Sequence, residues 1–112
     1  MIGRLHEVVV DCADPEALAA FWHALLGGTV HHDDEWVEVH PAGGHIVGFQ
    51  KVPEPKVVKN RVHLDVEVAD VIAAVAAAVA LGATKVGDLV DDPVSSFQVM
   101  LDPEGNEFCF IT

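Results

Sequence analysis

The feature that most restricts the fold of this chain is an internal repeat between its two halves. Residues 7–14 read EVVVDCAD and residues 63–70 read HLDVEVAD, an offset of 56 residues (63 − 7). In both copies the strand-like segment leads into a helix-like segment, a Leu-Gly pair and three further strand-like segments. Because repeated units bury their apolar faces together, this pattern predicts two βαβββ modules related by a pseudo-twofold axis.

The second copy opens with apolar and ionisable residues in alternation over residues 60–70 (NRVHLDVEVAD). Successive side chains of a strand point to opposite faces, so His63, Asp65 and Glu67 share one face and the other face is apolar. Such an ionisable face is either exposed to water or lines a polar cavity in a curved sheet, and both alternatives remain open. We expect the cavity, with Glu7 on the equivalent face of the first module.

Capping residues mark the ends of both predicted helices. Asp14 followed by Pro15 is a typical helix start, and Gly27 is a typical helix end. Asp70 is the corresponding helix start in the second copy. These signals predict helices at residues 15–26 and 71–81, and strands at residues 4–12, 29–32, 35–40, 45–52, 63–68, 84–90, 96–101 and 106–112.

The composition predicts one compact domain over residues 1–112. Hydrophobic residues make up 51% of the chain, so a core can form without covalent cross-links. The two cysteines do not form a disulfide framework, and we expect them to be reduced. We expect module one at residues 4–52, a linker at residues 53–60 and module two at residues 61–112.

The charge argues against two classes of partner. The net charge is −12, whereas nucleic acids and anionic membranes require a basic patch. The sequence has no apolar run long enough for a transmembrane helix, and its N-terminus lacks the order of a signal peptide. We therefore expect a cytoplasmic protein that binds neither nucleic acid nor membrane.

Three local sequences accompany the two-module order: DPEALAAFWHALLGG (residues 14–28), NRVHLDV (residues 60–66) and DPEGNEFC (residues 102–109). Together they resemble the vicinal oxygen chelate superfamily, which includes glyoxalase I, bleomycin-resistance proteins and extradiol dioxygenases, and especially its small glyoxalase-like branch. The resemblance covers almost the whole chain. It implies an α+β fold in which two βαβββ modules form a curved mixed sheet around a cleft, with one helix per module on the convex side.

The resemblance also implies metal ligands on the first and last strand of each module. His63 holds the first-strand position of module two, and the repeat offset puts Glu7 at the matching position, opposite His63. In the closing strands the candidates are Gln50, with Gly48 equally allowed by strand parity, and Cys109, where the family usually has glutamate. Such a set suits a divalent ion such as Zn²⁺, Fe²⁺ or Ni²⁺. The alternative is a polar cleft without metal.

Two classes of function follow from this resemblance. The first is a metal-dependent lyase or isomerase acting on a small oxygenated metabolite, with Glu7 or Glu107 as base and Asp65 nearby. The alternative is a metal-free protein that binds or sequesters a small molecule, as bleomycin-resistance proteins do. Extradiol dioxygenase chemistry ranks third. The resemblance would require two histidine ligands and one glutamate ligand, and this chain supplies at most one of those histidines.

Four further side chains are candidates for the wall of a ligand pocket: Trp36, His40, Gln98 and Met100. The adjacent pair His31 and His32 precedes three acidic residues, a pattern more typical of a solvated loop than of a metal site. We also expect a homodimer. In the resembling proteins the cleft forms either within one chain or by exchange of modules between two chains.

Overall fold

The computed structural model describes residues 1–112, which form two compact units, Met1–Pro55 and Lys56–Thr112. Each unit contains one helix and four strands. The elements of the first unit are β1 (Glu7–Cys12), α1 (Pro15–Leu26), β2 (Thr29–Asp33), β3 (Trp36–His40) and β4 (Ile46–Lys51). Those of the second unit are β5 (Leu64–Glu67), α2 (Val71–Ala80), β6 (Thr84–Asp91), β7 (Ser96–Leu101) and β8 (Glu107–Ile111).

Both units have the same sheet topology. The strand order is β1-β4-β3-β2 in the first unit and β5-β8-β7-β6 in the second. In each unit the first strand pairs in parallel with the last, and the other neighbours pair antiparallel. The predicted α+β fold of two βαβββ modules is therefore confirmed, and the sequence repeat corresponds to a structural repeat.

Helix α1 begins at an aspartate cap and packs on one face of its sheet. The Asp14 carboxylate accepts a hydrogen bond from the Ala17 backbone N–H at 3.1 Å, which satisfies one of the free donors at the helix start. Leu18, Phe21 and Trp22 are buried, and the helix contacts β3 and β4. The buried side chains of the sheet on this side are Val37, Val39, Val47 and Phe49.

Helix α2 has a similar start but a smaller buried surface. Asp70 accepts a hydrogen bond from the Ala73 N–H at 3.1 Å. The helix is rich in alanine, and only Val71 and Ala78 are buried, while Ile72 is 71% exposed. The core of this unit therefore depends on sheet side chains, chiefly Gln98, Met100, Phe108 and Phe110.

No helix of the chain has both the length and the apolar character needed to cross a membrane.

Strand β6 contains a bulge that the alternation pattern does not predict. Its register with β7 shifts between Val86 and Val90. Gly87 has a φ of +67°, which glycine adopts without the steric cost that other residues incur. The ladder is interrupted here, so the backbone carbonyls of the bulge need other hydrogen-bond donors.

Each sheet has one face covered by its helix and a second face, called here the polar face. In the first unit Trp36, Glu38 and His40 alternate with the buried Val37 and Val39, so these three side chains lie on the polar face. The polar face of this sheet therefore carries ionisable groups where the helix-covered face carries its core.

In the second unit, too, buried residues alternate with residues of the polar face. Cys109 lies between the buried Phe108 and Phe110, which puts it on the polar face. Asp65 is the register partner of Cys109, so the two side chains emerge side by side. Glu67, two residues further along β5, shares their face.

Candidate functional site

Three residues that the sequence singled out meet on the polar face of the second unit. The ligand atoms of His63, Asp65 and Cys109 all lie within 4.8 Å of one another. His63 Nε2 is 3.4 Å from Asp65 Oδ1, and both side chains are about half exposed. The three line a shallow pocket of about 290 Å³, completed by Ser95, Ser96, Phe97, Ile111 and Thr112.

The charge state of this cluster depends on whether a cation lies beside it. Burial raises the pKa of the Cys109 thiol, the negative charge of Asp65 raises it further, and Lys59 acts weakly in the opposite direction. The thiol therefore keeps its proton at neutral pH as long as no positive charge lies beside it. A divalent ion between Cys109 and Asp65 would reverse this effect, because it stabilises a thiolate and a carboxylate together.

A second cluster lies on the polar face of the first unit, with Glu38 at its centre. His40 Nε2 lies 2.9 Å from Glu38 Oε1, and Trp36 Nε1 donates to Glu38 Oε2 at 3.3 Å. The hydrogen bond with His40 is the main reason that the pKa of Glu38 is lowered; Trp36 and Glu7 also lower it, against the effect of burial. The ring of His31 stacks on His40, with centroids 4.0 Å apart.

Glu7 joins this cluster, and its pKa is shifted in the direction opposite to that of Glu38. Burial raises its pKa, and so do the charge of Glu38 and the hydrogen bond between the two carboxyl groups. Glu7 Oε2 is buried with no N–H or hydroxyl donor. A proton on Glu7, donated to Glu38, removes the repulsion between the two groups.

Gly48 makes room for this arrangement. A Cβ atom at Gly48 would lie 2.6 Å from Glu7 Oε2 and 3.2 Å from Cζ2 of Trp36. Any side chain there would push Glu7 or the Trp36 ring away. Gly48, which strand parity allowed as a ligand position, is therefore a packing residue.

Replacing Glu7 with glutamine is expected to flatten the pH dependence of stability. The pKa of Glu7 is raised above its ordinary 4.5, so the folded chain holds this proton more tightly than the unfolded chain. The stabilisation is complete below pH 4.5 and is lost as the pH rises through the raised pKa. Because the glutamine amide can donate to Glu38 at every pH, Glu7→Gln should be more stable than wild type at pH 7.

Urea denaturation between pH 4 and pH 8 measures this effect. Glu38→Gln is the matched control, because the pKa of Glu38 is lowered and its stabilisation is present above the ordinary pKa. That variant should lose stability at pH 7. A Glu7→Gln variant that is less stable than wild type at pH 7 would contradict the shared proton.

Glu107, a predicted base, is engaged in structural contacts. Its Oε1 is 2.7 Å from the Lys56 Nζ, and its carboxylate accepts from the Asn60 backbone N–H at 3.2 Å. Burial by itself raises the pKa of Glu107, but these hydrogen bonds and the Lys56 charge outweigh it and leave the pKa lowered. Glu107 thus fastens the segment before β5 to the start of β8.

Glu107→Ala is expected to lower the free energy of unfolding by about 1.5 to 3 kcal/mol, the usual range for hydrogen bonds to a charged group. It should also speed proteolytic cleavage within residues 56–60. Glu67→Ala is the control, since Glu67 is exposed and its loss should change stability by less than about 0.5 kcal/mol. Equal stability of the two variants would argue against the fastening role.

Gln98 and Met100, predicted as walls of a ligand pocket, do not share a face with Cys109. Both are buried on the helix-covered face of the second unit, opposite to Cys109. Strand parity separates the two faces of a strand but does not say which face the helix covers, so the sequence alone could not place these two residues. Trp36 and His40 do lie on the polar face of the first unit, and Gln50 lies beside Trp36 on the same face and is exposed.

Glu38 and His31 are the members of the first cluster that the sequence candidates left out. Glu38 carried a usable signal, because it lies between Trp36 and His40 in strict alternation. His31 belongs to strand β2, as the strand predicted at residues 29–32 requires, and not to the solvated loop that the following acidic residues suggested. It meets this cluster through its register with Glu38, which no local pattern reveals. Its neighbour His32 lies 2.9 Å from Glu16 of α1.

Known proteins share this fold and sequence pattern. The family profile described as a glyoxalase-like domain matches residues 7–111, whereas no curated protein matches the chain. A solved glyoxalase/bleomycin resistance protein/dioxygenase family enzyme from Burkholderia phytofirmans PsJN is 20% identical, with a TM-score of 0.76 over 95% of both chains. A glyoxalase/bleomycin resistance protein from Albidiferax ferrireducens T118 is 22% identical, with a TM-score of 0.75 over 96% of both chains.

A third solved structure, a glyoxalase-related enzyme from Fulvimarina pelagi, is 15% identical, with a TM-score of 0.78 over 98% of this chain and 88% of that one. At these identities the structural likeness shows the fold alone. The family match spans nearly the whole chain and agrees with the resemblance carried by the local sequences. The chain therefore belongs to the glyoxalase-like domain family of the vicinal oxygen chelate superfamily.

Proposed function

We propose that this protein is a metal-dependent enzyme of lyase or isomerase type that acts on a small oxygenated metabolite. The observation that supports a metal is the cluster of His63, Asp65 and Cys109, whose ligand atoms lie within 4.8 Å of one another. Imidazole, carboxylate and thiolate together suit Zn²⁺, and also Fe²⁺ or Ni²⁺. Three protein ligands leave coordination positions for substrate oxygens, as catalytic metal sites do.

Each residue of the pocket has a separate task in this proposal. His63 binds through a neutral ring nitrogen, and Cys109 binds after losing its thiol proton. Asp65 neutralises part of the ion's charge and orients His63, from which it is 3.4 Å away. The bound ion supplies Lewis-acid polarisation of substrate oxygens. Phe97 and Ile111 form the apolar part of the wall, which suits a metabolite with a short hydrocarbon portion.

Glu7 is the residue that we propose as the acid or base. A useful proton carrier has a pKa moved toward the working pH, and burial together with Glu38 raises the pKa of Glu7 in that direction. Glu38 is itself held by His40 and Trp36, so the partner of the Glu7 proton has a fixed position. Such a fixed acceptor lets Glu7 hold or release a proton without rearranging its neighbours.

The test is metal analysis followed by titration. Protein purified without chelator should contain a transition ion, and the apo protein should bind Zn²⁺, Fe²⁺ or Ni²⁺ saturably in calorimetry. Binding weaker than about millimolar, roughly −4 kcal/mol, would reject the metal enzyme. Metal-loaded protein should then be assayed against small α-hydroxy and α-keto compounds, which offer adjacent oxygens.

A second candidate function is a metal-free binding protein for a small molecule. The raised pKa of Cys109 favours it, because a neutral thiol beside His63 and Asp65 gives a polar recess that needs no ion. In that case the protein should be free of metal after purification and should bind ligands equally well in the presence of a chelator. The same titration therefore separates the two functions.

A further inference from the structure

The second unit has another pocket, on the side of the sheet opposite to the metal cluster. It has a volume of about 270 Å³ and lies between α2 and β6. Val71, Ile72, Val75 and Leu89 form its apolar walls, and Gln98 and Lys85 are its polar members. Neither of these two groups has a role in the metal site, so their presence in an otherwise apolar recess calls for an explanation.

Gln98 is held in one orientation by the bulge of β6. Its Nε2 donates to the carbonyl oxygens of Val86 at 2.9 Å, Gly87 at 3.2 Å and Val99 at 3.0 Å. Exchanging the amide nitrogen and oxygen would place oxygen against these carbonyls, so the orientation is fixed. Gln98 is only 1% exposed, yet its Oε1 is buried without any hydrogen-bond donor. Gln98 lines the pocket, so its amide brings a covered and unused acceptor to this wall.

Lys85 supplies the complementary charge. It pairs with Met100 in the ladder and is exposed, with no ion pair inside the chain. Gln98 is two residues before Met100, so Lys85 and Gln98 are diagonal neighbours on one face, with Cα atoms about 7 to 8 Å apart. A ligand that bridges this span needs a hydrogen-bond donor at one end and an anionic group at the other.

We propose that the recess between α2 and β6 is a second ligand site, for a small ring compound with a hydroxyl or amino donor at one end and a carboxylate at the other. The donor binds Gln98 Oε1, the ring packs on Val71 and Val75, and the carboxylate binds Lys85. Because Gln98 Oε1 is covered in the structure, entry of the ring requires a side chain at the rim, such as the exposed Ile72, to move. This site is independent of the metal centre and of the reaction proposed for it.

The probes are 4-hydroxybenzoate, 4-methoxybenzoate, which lacks the donor, and phenol, which lacks the carboxylate. Nuclear magnetic resonance of the full chain should show the Gln98 side-chain amide signals moving with 4-hydroxybenzoate. Binding of 4-methoxybenzoate should be at least tenfold weaker. Lys85→Gln should weaken binding of 4-hydroxybenzoate several-fold and leave binding of phenol unchanged.

Val75→Phe fills the recess and should weaken binding of 4-hydroxybenzoate at least tenfold. Val79→Phe is its control, one turn further along α2, on an exposed side chain outside the pocket. Two results would overturn the site: unmoved Gln98 signals at millimolar 4-hydroxybenzoate, or equal affinity for the methoxy compound. Unchanged affinity in Val75→Phe would also overturn it, since the recess would then not hold the ring.

Discussion

Replacing His63 with alanine is expected to weaken Zn²⁺ binding at least about 100-fold. Even residues that do not touch the metal and only orient a ligand contribute about 10- to 100-fold to metal affinity. The imidazole is one of only three ligand groups in the cluster, and its loss leaves Asp65 and Cys109. Binding to these two groups must still displace the Cys109 thiol proton, because burial and then the charge of Asp65 raise the pKa of that thiol. Calorimetric titration of the apo protein measures the change.

His32→Ala is the control for a general effect of removing a histidine. His32 is exposed in the first unit and is bonded to Glu16 of α1 at 2.9 Å, so the variant should bind Zn²⁺ like wild type. Undiminished affinity in His63→Ala would remove the second unit's cluster as the metal centre. Cys109→Ser distinguishes the ligand set further, because a hydroxyl is a much poorer ligand for Zn²⁺ than a thiolate.

The pH dependence of binding follows from the same contacts. Because the pKa of Cys109 is raised, ion binding at neutral pH must displace a thiol proton. Affinity should therefore fall about tenfold for each unit that the pH drops below the thiol pKa, and proton release should accompany titration. Cys109→Ser should lose the part of this dependence that comes from the thiol proton.

The fold was predictable because its signals are local and occur twice. Asp14 and Asp70 cap their helices as their positions predict, and alternation in the strands separates the faces correctly. The repeat then supplies information that a single module would lack, since one offset aligns the two helix starts. Agreement of capping, periodicity and repeat leaves few alternative topologies.

The contacts of the candidate site were predictable only where both residues lie on the same face of one strand. His63 and Asp65 are neighbours on one strand face, and their proximity follows from parity alone. His31, by contrast, reaches His40 through the register between β2 and β3, and a register shift of one residue would have put it on the other face. Gln98 could not be placed relative to Cys109 for a different reason: parity separates the two faces of β7 but does not say which of them helix α2 covers.

Gly28→Ala is expected to be the most destabilising single substitution considered, lowering the free energy of unfolding by at least about 4 kcal/mol. Gly28 has a φ of +83°, and a Cβ atom there would overlap the carbonyl oxygen of His40 and lie 2.8 Å from Pro41 Cα. Both obstacles are backbone atoms, so no change of rotamer relieves the clash. The left-handed conformation alone accounts for only about 1 to 2 kcal/mol of the loss.

Gly43→Ala separates the two causes, because Gly43 lies in the same unit with a φ of +73° and open space around its Cβ position. Gly43→Ala should lose only the stability that the left-handed conformation costs an alanine. The denaturant midpoints of the two variants then measure the additional cost of the backbone clash at Gly28. Gly28→Ala should also disturb the polar cluster, since relieving the clash moves His40 away from Glu38, to which it now lies at 2.9 Å. Similar midpoints for both variants would mean that the backbone of β2 and β3 shifts at little cost in free energy. The position of His40 would then not be fixed by Gly28.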